Sequence, residues 1–295
     1  MKMKIALVYT AIFVATVILL SVLPRTTIMV WQPEVMIPLS GLLYTLLVYL
    51  SCQLVDIHRP EGIILTALFL MIFLPEAKNF LTLDIEAVIE LSSQCIVPFF
   101  IGQYNRASQK SFKYIYTLML LMGIFCSYTH NGITIPLCAG FLWMSILHRD
   151  KFFRTACWPM VTGFLIGTAI SIWQAVHEGR NDTPNHLQQS ISQTAMALQT
   201  LWDTKIFLLS VGLTAYLSVS RWGRLILISN FRKHTLLSCC AMFSYCTLPF
   251  APLGLENAVT GVCFFCMYWV LIIAKALAHK FYYKEGQGCD LLLNR

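Results

Sequence analysis

Apolar residues in this chain fall in long, nearly unbroken runs, separated by short polar stretches. A helix that crosses a bilayer needs roughly 20 mostly apolar residues, and about 17 suffice. Ten runs meet that condition or come close: 5–23, 36–55, 62–80, 86–103, 113–129, 132–148, 155–176, 206–220, 235–252 and 257–278. The run at 62–80 is interrupted by Pro75 and carries Glu76 and Lys78, and the run at 206–220 is short. Apolar positions are continuous rather than alternating, which argues against a closed β-barrel. The pattern predicts an all-α polytopic transmembrane helical bundle of about ten spans, forming one membrane domain over 1–295.

One stretch between runs has a different period. After the polar opening Glu178-Gly179-Arg180-Asn181-Asp182-Thr183-Pro184, residues Leu187, Ile191, Ala195, Leu198 and Trp202 recur at helical spacing. Gln188, Gln189, Gln193 and Gln199 fall largely on the other side. An amphipathic helix lying on the outer surface over 185–203 is the expectation. It would act either as a simple lid or as a guide for a lipid-linked substrate.

Composition agrees with the run pattern. Fifty-seven percent of the 295 residues are hydrophobic and only 12% are charged, against about 25% charged in soluble domains. The net charge of +7 reads as topology. With the N-terminus in the cytoplasm and ten crossings, 17 of the 21 basic residues fall inside; Arg25, Lys78, Arg180 and Lys205 fall outside. That partition follows the positive-inside rule and puts both termini in the cytoplasm. Scattered over separate loops, these basic residues do not form a nucleic-acid site. Nine acids lie at or near the outer face: Glu34, Glu76, Asp84, Glu86, Glu90, Glu178, Asp182, Asp203 and Glu256. Acidic residues contribute little to topology, so they are either solvated loop residues or parts of an outward-facing site. The first run lacks a small-residue cleavage pattern near 21–25 and reads as a retained anchor. Eleven cysteines sit almost entirely within apolar runs, so a secreted disulfide framework is not expected. Cys263 and Cys266 have a metal-like spacing but no partner pair, and read as small apolar packing; no metal or other cofactor is expected.

Charged groups inside a span are costly and each needs a reason. Glu86, Glu90 and Gln94 share one face of the run at 86–103. Paired acids there suit a proton carrier or an acid and base pair, against the plainer reading of a hydrated helix end. Tyr128-Thr129-His130-Asn131-Gly132 joins two runs by a very tight outer turn, since Asn131 and Gly132 tolerate positive φ. His130 would cap exposed carbonyls or hold a phosphate. Glu34 lies in the first outer loop between Pro33 and Pro38. Arg180 is a candidate phosphate fork, or a salt-bridge partner of Glu178 or Asp182. Glu256 opens the last run and has the plainer role of a helix-start charge. No nucleotide-binding loop, Rossmann glycine pattern, HExxH or GxSxG is present.

The segment Ser127 to Gly132, with Pro136 and the basic stretch His148-Arg149-Asp150-Lys151-Phe152-Phe153-Arg154, resembles part of a family of bacterial polytopic membrane proteins from surface-polysaccharide loci. Those proteins are similar to C-type glycosyltransferases. The resemblance covers mainly 110–180, including Gly163 and Gly167. In the family the turn commonly reads His-Glu-Gly or His-Glu-Asn; here Asn131 stands in place of the acid. The resemblance implies a bacterial inner-membrane protein acting on sugars linked to polyprenyl phosphate. Glu34 and His130 would be its catalytic candidates. Arg180, Asn131, Glu86, Glu90 and Glu256 would be its substrate-binding candidates. Membrane lipids and partner membrane proteins are the other expected contacts. Two alternatives stand beside it. Ten spans in about 300 residues also resemble the drug/metabolite transporters, built as two inverted halves. Gly163 and Gly167 form a GxxxG pattern suited to a non-catalytic subunit that binds partner helices.

Overall fold

The computed structural model describes residues 2–22, 33–74, 88, 91–92, 94–99, 120–121, 123–124, 131–148, 158–159, 161–163, 165–167, 169–170, 199–202, 204–246 and 255–283. Eight helices are described end to end: α1 Lys2–Val22, α2 Pro33–Val55, α3 Pro60–Phe73, α4 Asn131–His148, α5 Lys205–Val219, α6 Arg221–Ser229, α7 Phe231–Cys246 and α8 Leu255–Tyr283. Helical residues also occur within 88–99, 120–124, 158–170 and 199–202, and no strand occurs among the described residues. The described residues are therefore all-helical in architecture.

Three of these helices are long and apolar enough to cross a membrane: α1 over Met3–Val22, α2 over Glu34–Val55 and α8 over Val259–Ala278. Counting α5 and α6 as one bent span would make a fourth among the described residues. The outer faces of α1, α2 and α3 are apolar and unburied. Leu7, Ile18 and Val22 of α1, Leu42 of α2, and Leu65 and Ile72 of α3 are all exposed. Such a surface suits lipid rather than water. α4 coincides with the predicted run at 132–148 and α5 with that at 206–220. α3 ends at Phe73, just ahead of Pro75, so the predicted extension to 80 lies outside the described residues.

α1, α2 and α3 form an up-down-up unit. Tyr9 meets Tyr49 edge-on with ring centroids 5.5 Å apart. The Tyr44 hydroxyl donates to the Ala67 carbonyl at 2.6 Å. α2 ends in a Schellman motif, in which backbone donors turn back onto the last carbonyls of the helix. The Ile57 N–H donates to the Cys52 carbonyl at 2.8 Å and the Asp56 N–H to the Gln53 carbonyl at 3.4 Å. Asp56 takes the left-handed position at φ 56°, a conformation that glycine usually fills and that aspartate tolerates. Arg59 and Pro60 then start α3, with proline at a position where its missing N–H costs nothing.

α8 is the central helix. Every residue from 261 to 273 is buried, as expected of a helix that is apolar all round. α5, α7 and α4 pack against it, and α2 touches it. Ser51 Oγ and the Tyr268 hydroxyl are 2.8 Å apart. Lys275 Nζ lies 4.0 Å from Asp56 Oδ2. Both sequence numbers rise together along this contact, so α2 and α8 run parallel. Cys263 faces Thr204 and Cys266 faces Ser210, while Trp269 Nε1 donates to Thr214 Oγ1 at 2.8 Å. α5 is therefore also parallel to α8. α7 starts at the far end, with His234 against Trp269 at a centroid distance of 4.2 Å. Among the predicted runs, α2, α5 and α8 are the second, eighth and tenth, all expected to cross in one direction.

The connection from α5 to α7 differs from expectation. Residues 221–234 read as a basic loop, yet α6 occupies Arg221–Ser229, bent by 116° from α5. Ser220 makes the break: its Oγ accepts from the Gly223 N–H at 2.9 Å, the arrangement of an N-cap. At Gly223 a Cβ would overlap the Leu217 carbonyl oxygen and Cα. Only glycine lets the two helices approach this closely. Gly163 is used in the same way, since a Cβ there would overlap the Leu120 carbonyl oxygen. The glycine of the GxxxG pattern thus serves a close approach within this chain.

Candidate functional site

Two ends of the bundle collect polar chemistry. At the start of α2, Glu34 is exposed in the first helical turn. Glu256 is the second residue of α8, and Asn131 the first of α4; their side chains lie outside the described set. Helix starts expose unsatisfied N–H groups and favour nearby negative charge. The parallel course of α2 and α8 decides where the two acids stand relative to each other. Measured back from the Ser51–Tyr268 contact, Glu34 lies about 25 Å and Glu256 about 18 Å along the axis, at roughly 1.5 Å per residue. Both therefore occupy the same end, staggered by about 7 Å along the helix direction. His130, Arg180, Glu86 and Glu90 lie outside the described residues.

The run that holds Glu86 and Glu90 is represented by Gln94. This residue is 2% exposed, and its Oε1 has no hydrogen-bond donor. A buried carbonyl without a donor is costly and stands ready to accept from an N–H or O–H. The neighbouring Cys95 thiol donates to the Leu43 carbonyl at 3.5 Å and ties this segment to α2. Of the predicted shared face of Glu86, Glu90 and Gln94, Gln94 itself lies inside the bundle.

The opposite end was not anticipated as a cluster. Lys233 Nζ donates to the Leu54 carbonyl at 3.1 Å. That carbonyl belongs to the last turn of α2, where acceptors lack helical partners. Lysine is suited to such a place by charge as well as by hydrogen bonding. Burial lowers the proton affinity of the Lys233 ammonium below the ordinary lysine value, Asp56 acts in the other direction, and Lys275 adds to the lowering. Asp56 thus pairs with Lys275 of α8, and Lys233 of α7 lies within electrostatic reach of both. The 4.0 Å Asp56–Lys275 pair is partly exposed and adds little stability by itself. Its importance is geometric, since it brings the end of α2 to α7 and α8. Asp56 and Glu61 follow the second apolar run and Lys233 lies in a basic stretch, but no spacing in the sequence pairs residues so far apart.

Cys263 and Cys266 are buried in α8. Among the described residues no group of three His, Cys, Asp or Glu side chains is placed to hold a metal ion. The chemistry on view is acidic at one end, a lone amide oxygen within the bundle, and basic at the other end. Comparison of the chain with protein-family models, with curated proteins and with solved structures returned no match.

Proposed function

We propose that this chain is a bacterial inner-membrane protein of about ten spans with both termini cytoplasmic, acting in surface-polysaccharide assembly. In this reading it handles sugars linked to polyprenyl phosphate at the outer face, in the manner of C-type glycosyltransferases. The observation that carries it is the shared placement of Glu34 and Glu256 at one end of two parallel helices, opposite the basic end of Lys233 and Lys275. A glycosyl acceptor needs a carboxylate base, and a polyprenyl phosphate needs cationic or polar holders. Glu34 supplies the base, His130 and Arg180 hold the phosphate, and Asn131, Glu86, Glu90 and Glu256 line the substrate path. The parallel course of α2, α5 and α8 supports the ten-span count, because those three are all even-numbered crossings.

The carrier alternative draws on one observation, the break between α5 and α6. Carriers place such breaks near the bilayer midplane, where unwound backbone binds substrate. Here the break adjoins the exposed Arg221 and Arg224, which belong at a membrane surface. That position favours the glycan reading over the carrier.

The test is complementation of a deletion strain with Glu34→Gln and, separately, His130→Ala. Surface glycan is measured by gel and the protein by membrane immunoblot. Loss of glycan at unchanged protein level is expected from each. Normal glycan from both would remove the assignment.

A further inference from the structure

We infer that α6 is an in-plane helix that holds an acidic phospholipid headgroup of the leaflet at the basic end of the bundle. The argument stands apart from the proposed glycan activity and needs only that α5 and α8 lie across the bilayer. It begins with direction. α5 runs parallel to α8 and bonds it through Trp269 and Thr214. From that bond to Ser220 is about 9 Å along α5, and from Trp269 to Lys275 is about 9 Å along α8, at roughly 1.5 Å per residue. The break thus lies level with the Asp56–Lys275 pair. α6 leaves α5 at 116°, which is 26° beyond perpendicular (116 minus 90). A helix so placed lies near the membrane plane, and its far end sinks back toward the bilayer. Over its nine residues the descent is about 6 Å, from a length of about 13 Å.

The exposed face of α6 matches that tilt. Arg221 and Arg224 are exposed in the first turn, at the upper end. Leu225 is 58% and Ile228 68% exposed, further along and deeper. Gly223 and Ile226 are buried on the opposite face. Charge at headgroup depth and aliphatic side chains below it are the signature of an interfacial helix. Neither arginine has an ion pair among the described residues. One turn apart, they present two cationic forks to a phosphodiester. Val219 and Tyr216, exposed at the end of α5, extend the apolar surface that acyl chains would cover. The occupant is thus a lipid with an anionic headgroup, chosen by charge and by the adjoining apolar face.

The experiment is native mass spectrometry of the full chain released from nanodiscs of equal phosphatidylglycerol and phosphatidylcholine. Wild type should retain phosphatidylglycerol preferentially. Arg221→Gln with Arg224→Gln should weaken that retention about thirty-fold, at about five-fold per basic residue near the surface. Arg221→Lys with Arg224→Lys keeps the charge and should retain most of it. Lys205→Gln, at the other end of α5, should retain all of it. If the glutamine variant fails to fold, added salt on wild type replaces it and should release the lipid. Equal retention of both lipids by wild type would overturn the inference. So would unchanged phosphatidylglycerol in the glutamine variant, or a chain dimer whose formation needs the two arginines while lipid binding does not.

Discussion

Ser51 and Tyr268 join α2 to the central helix, and their bond is the most exposed to test. Each residue has 0% exposure. The Ser51 hydroxyl donates to the Leu47 carbonyl at 2.7 Å. Its single proton is thereby used, so the Tyr268 hydroxyl is the donor in the 2.8 Å contact with Ser51 Oγ. Ser51→Ala leaves that phenol donor buried and unpaired, at a cost of about 1–3 kcal/mol. In bilayers such bonds average nearer 0.6 kcal/mol, because the unfolded chain also finds partners. We therefore expect about 1.5 kcal/mol for Ser51→Ala and about 1 kcal/mol for Tyr268→Phe. The double variant removes donor and acceptor together and should cost less than the sum by about 1 kcal/mol. Reversible unfolding of the full chain in mixed micelles, followed by far-UV circular dichroism against added dodecyl sulfate, measures all three. Strict additivity, or a Ser51→Ala cost below a few tenths of a kcal/mol, would refute the assigned donor and the load it carries.

Gly223→Ala drives a methyl group into the Leu217 backbone and against the Ser220 hydroxyl. It should destabilise by about 2–4 kcal/mol, combining overpacking with loss of the cap; wild-type stability in the same micelle titration would contradict it. The remaining prediction concerns acid. His234 sits in the first turn of α7, just ahead of the apolar run at 235–252, and burial lowers its proton affinity below the ordinary 6.5. Below that value the unfolded imidazole is protonated while the folded one is not, so the unfolded state binds more protons and stability decreases as the pH is lowered. The fall levels off once the folded pKa is passed. His234→Phe should flatten this component, and identical slopes for both proteins between pH 7 and 5 would show that His234 does not carry it.

The elements of the fold were largely legible from the sequence. Long apolar runs predicted α1, α2, α4, α5 and α8 within a few residues, because a bilayer demands continuous apolar length and nothing else in the chain produces it. Proline and turn residues marked where α3 stops and α4 starts. α6 was missed for a physical reason. Nine residues with two arginines are too short and too charged to read as a span, and their helical conformation depends on the Ser220 cap and the Gly223 approach to α5. The candidate site was legible only in part. Glu256 stood out at the start of the last run and lies in the first turn of α8, whereas Glu34, expected in the first outer loop, and Asn131, expected in the tight outer turn, each lie in the first turn of a helix.

Which of those starts share an end of the molecule is a different kind of information. The amino-acid sequence determined that the chain is helical, apolar enough for a membrane, and biased in charge from loop to loop. Those are properties of neighbours along the chain, set by side-chain transfer energies and helix periodicity. Only the tertiary structure decided that α8 is the buried centre, that α2 and α5 run parallel to it, and that Lys233 and Lys275 converge on the end of α2. Such contacts join residues far apart in sequence, from 55 positions for Thr214 and Trp269 to 219 (275 minus 56) for Asp56 and Lys275. They depend on the packing of whole helix faces, which no local spacing encodes.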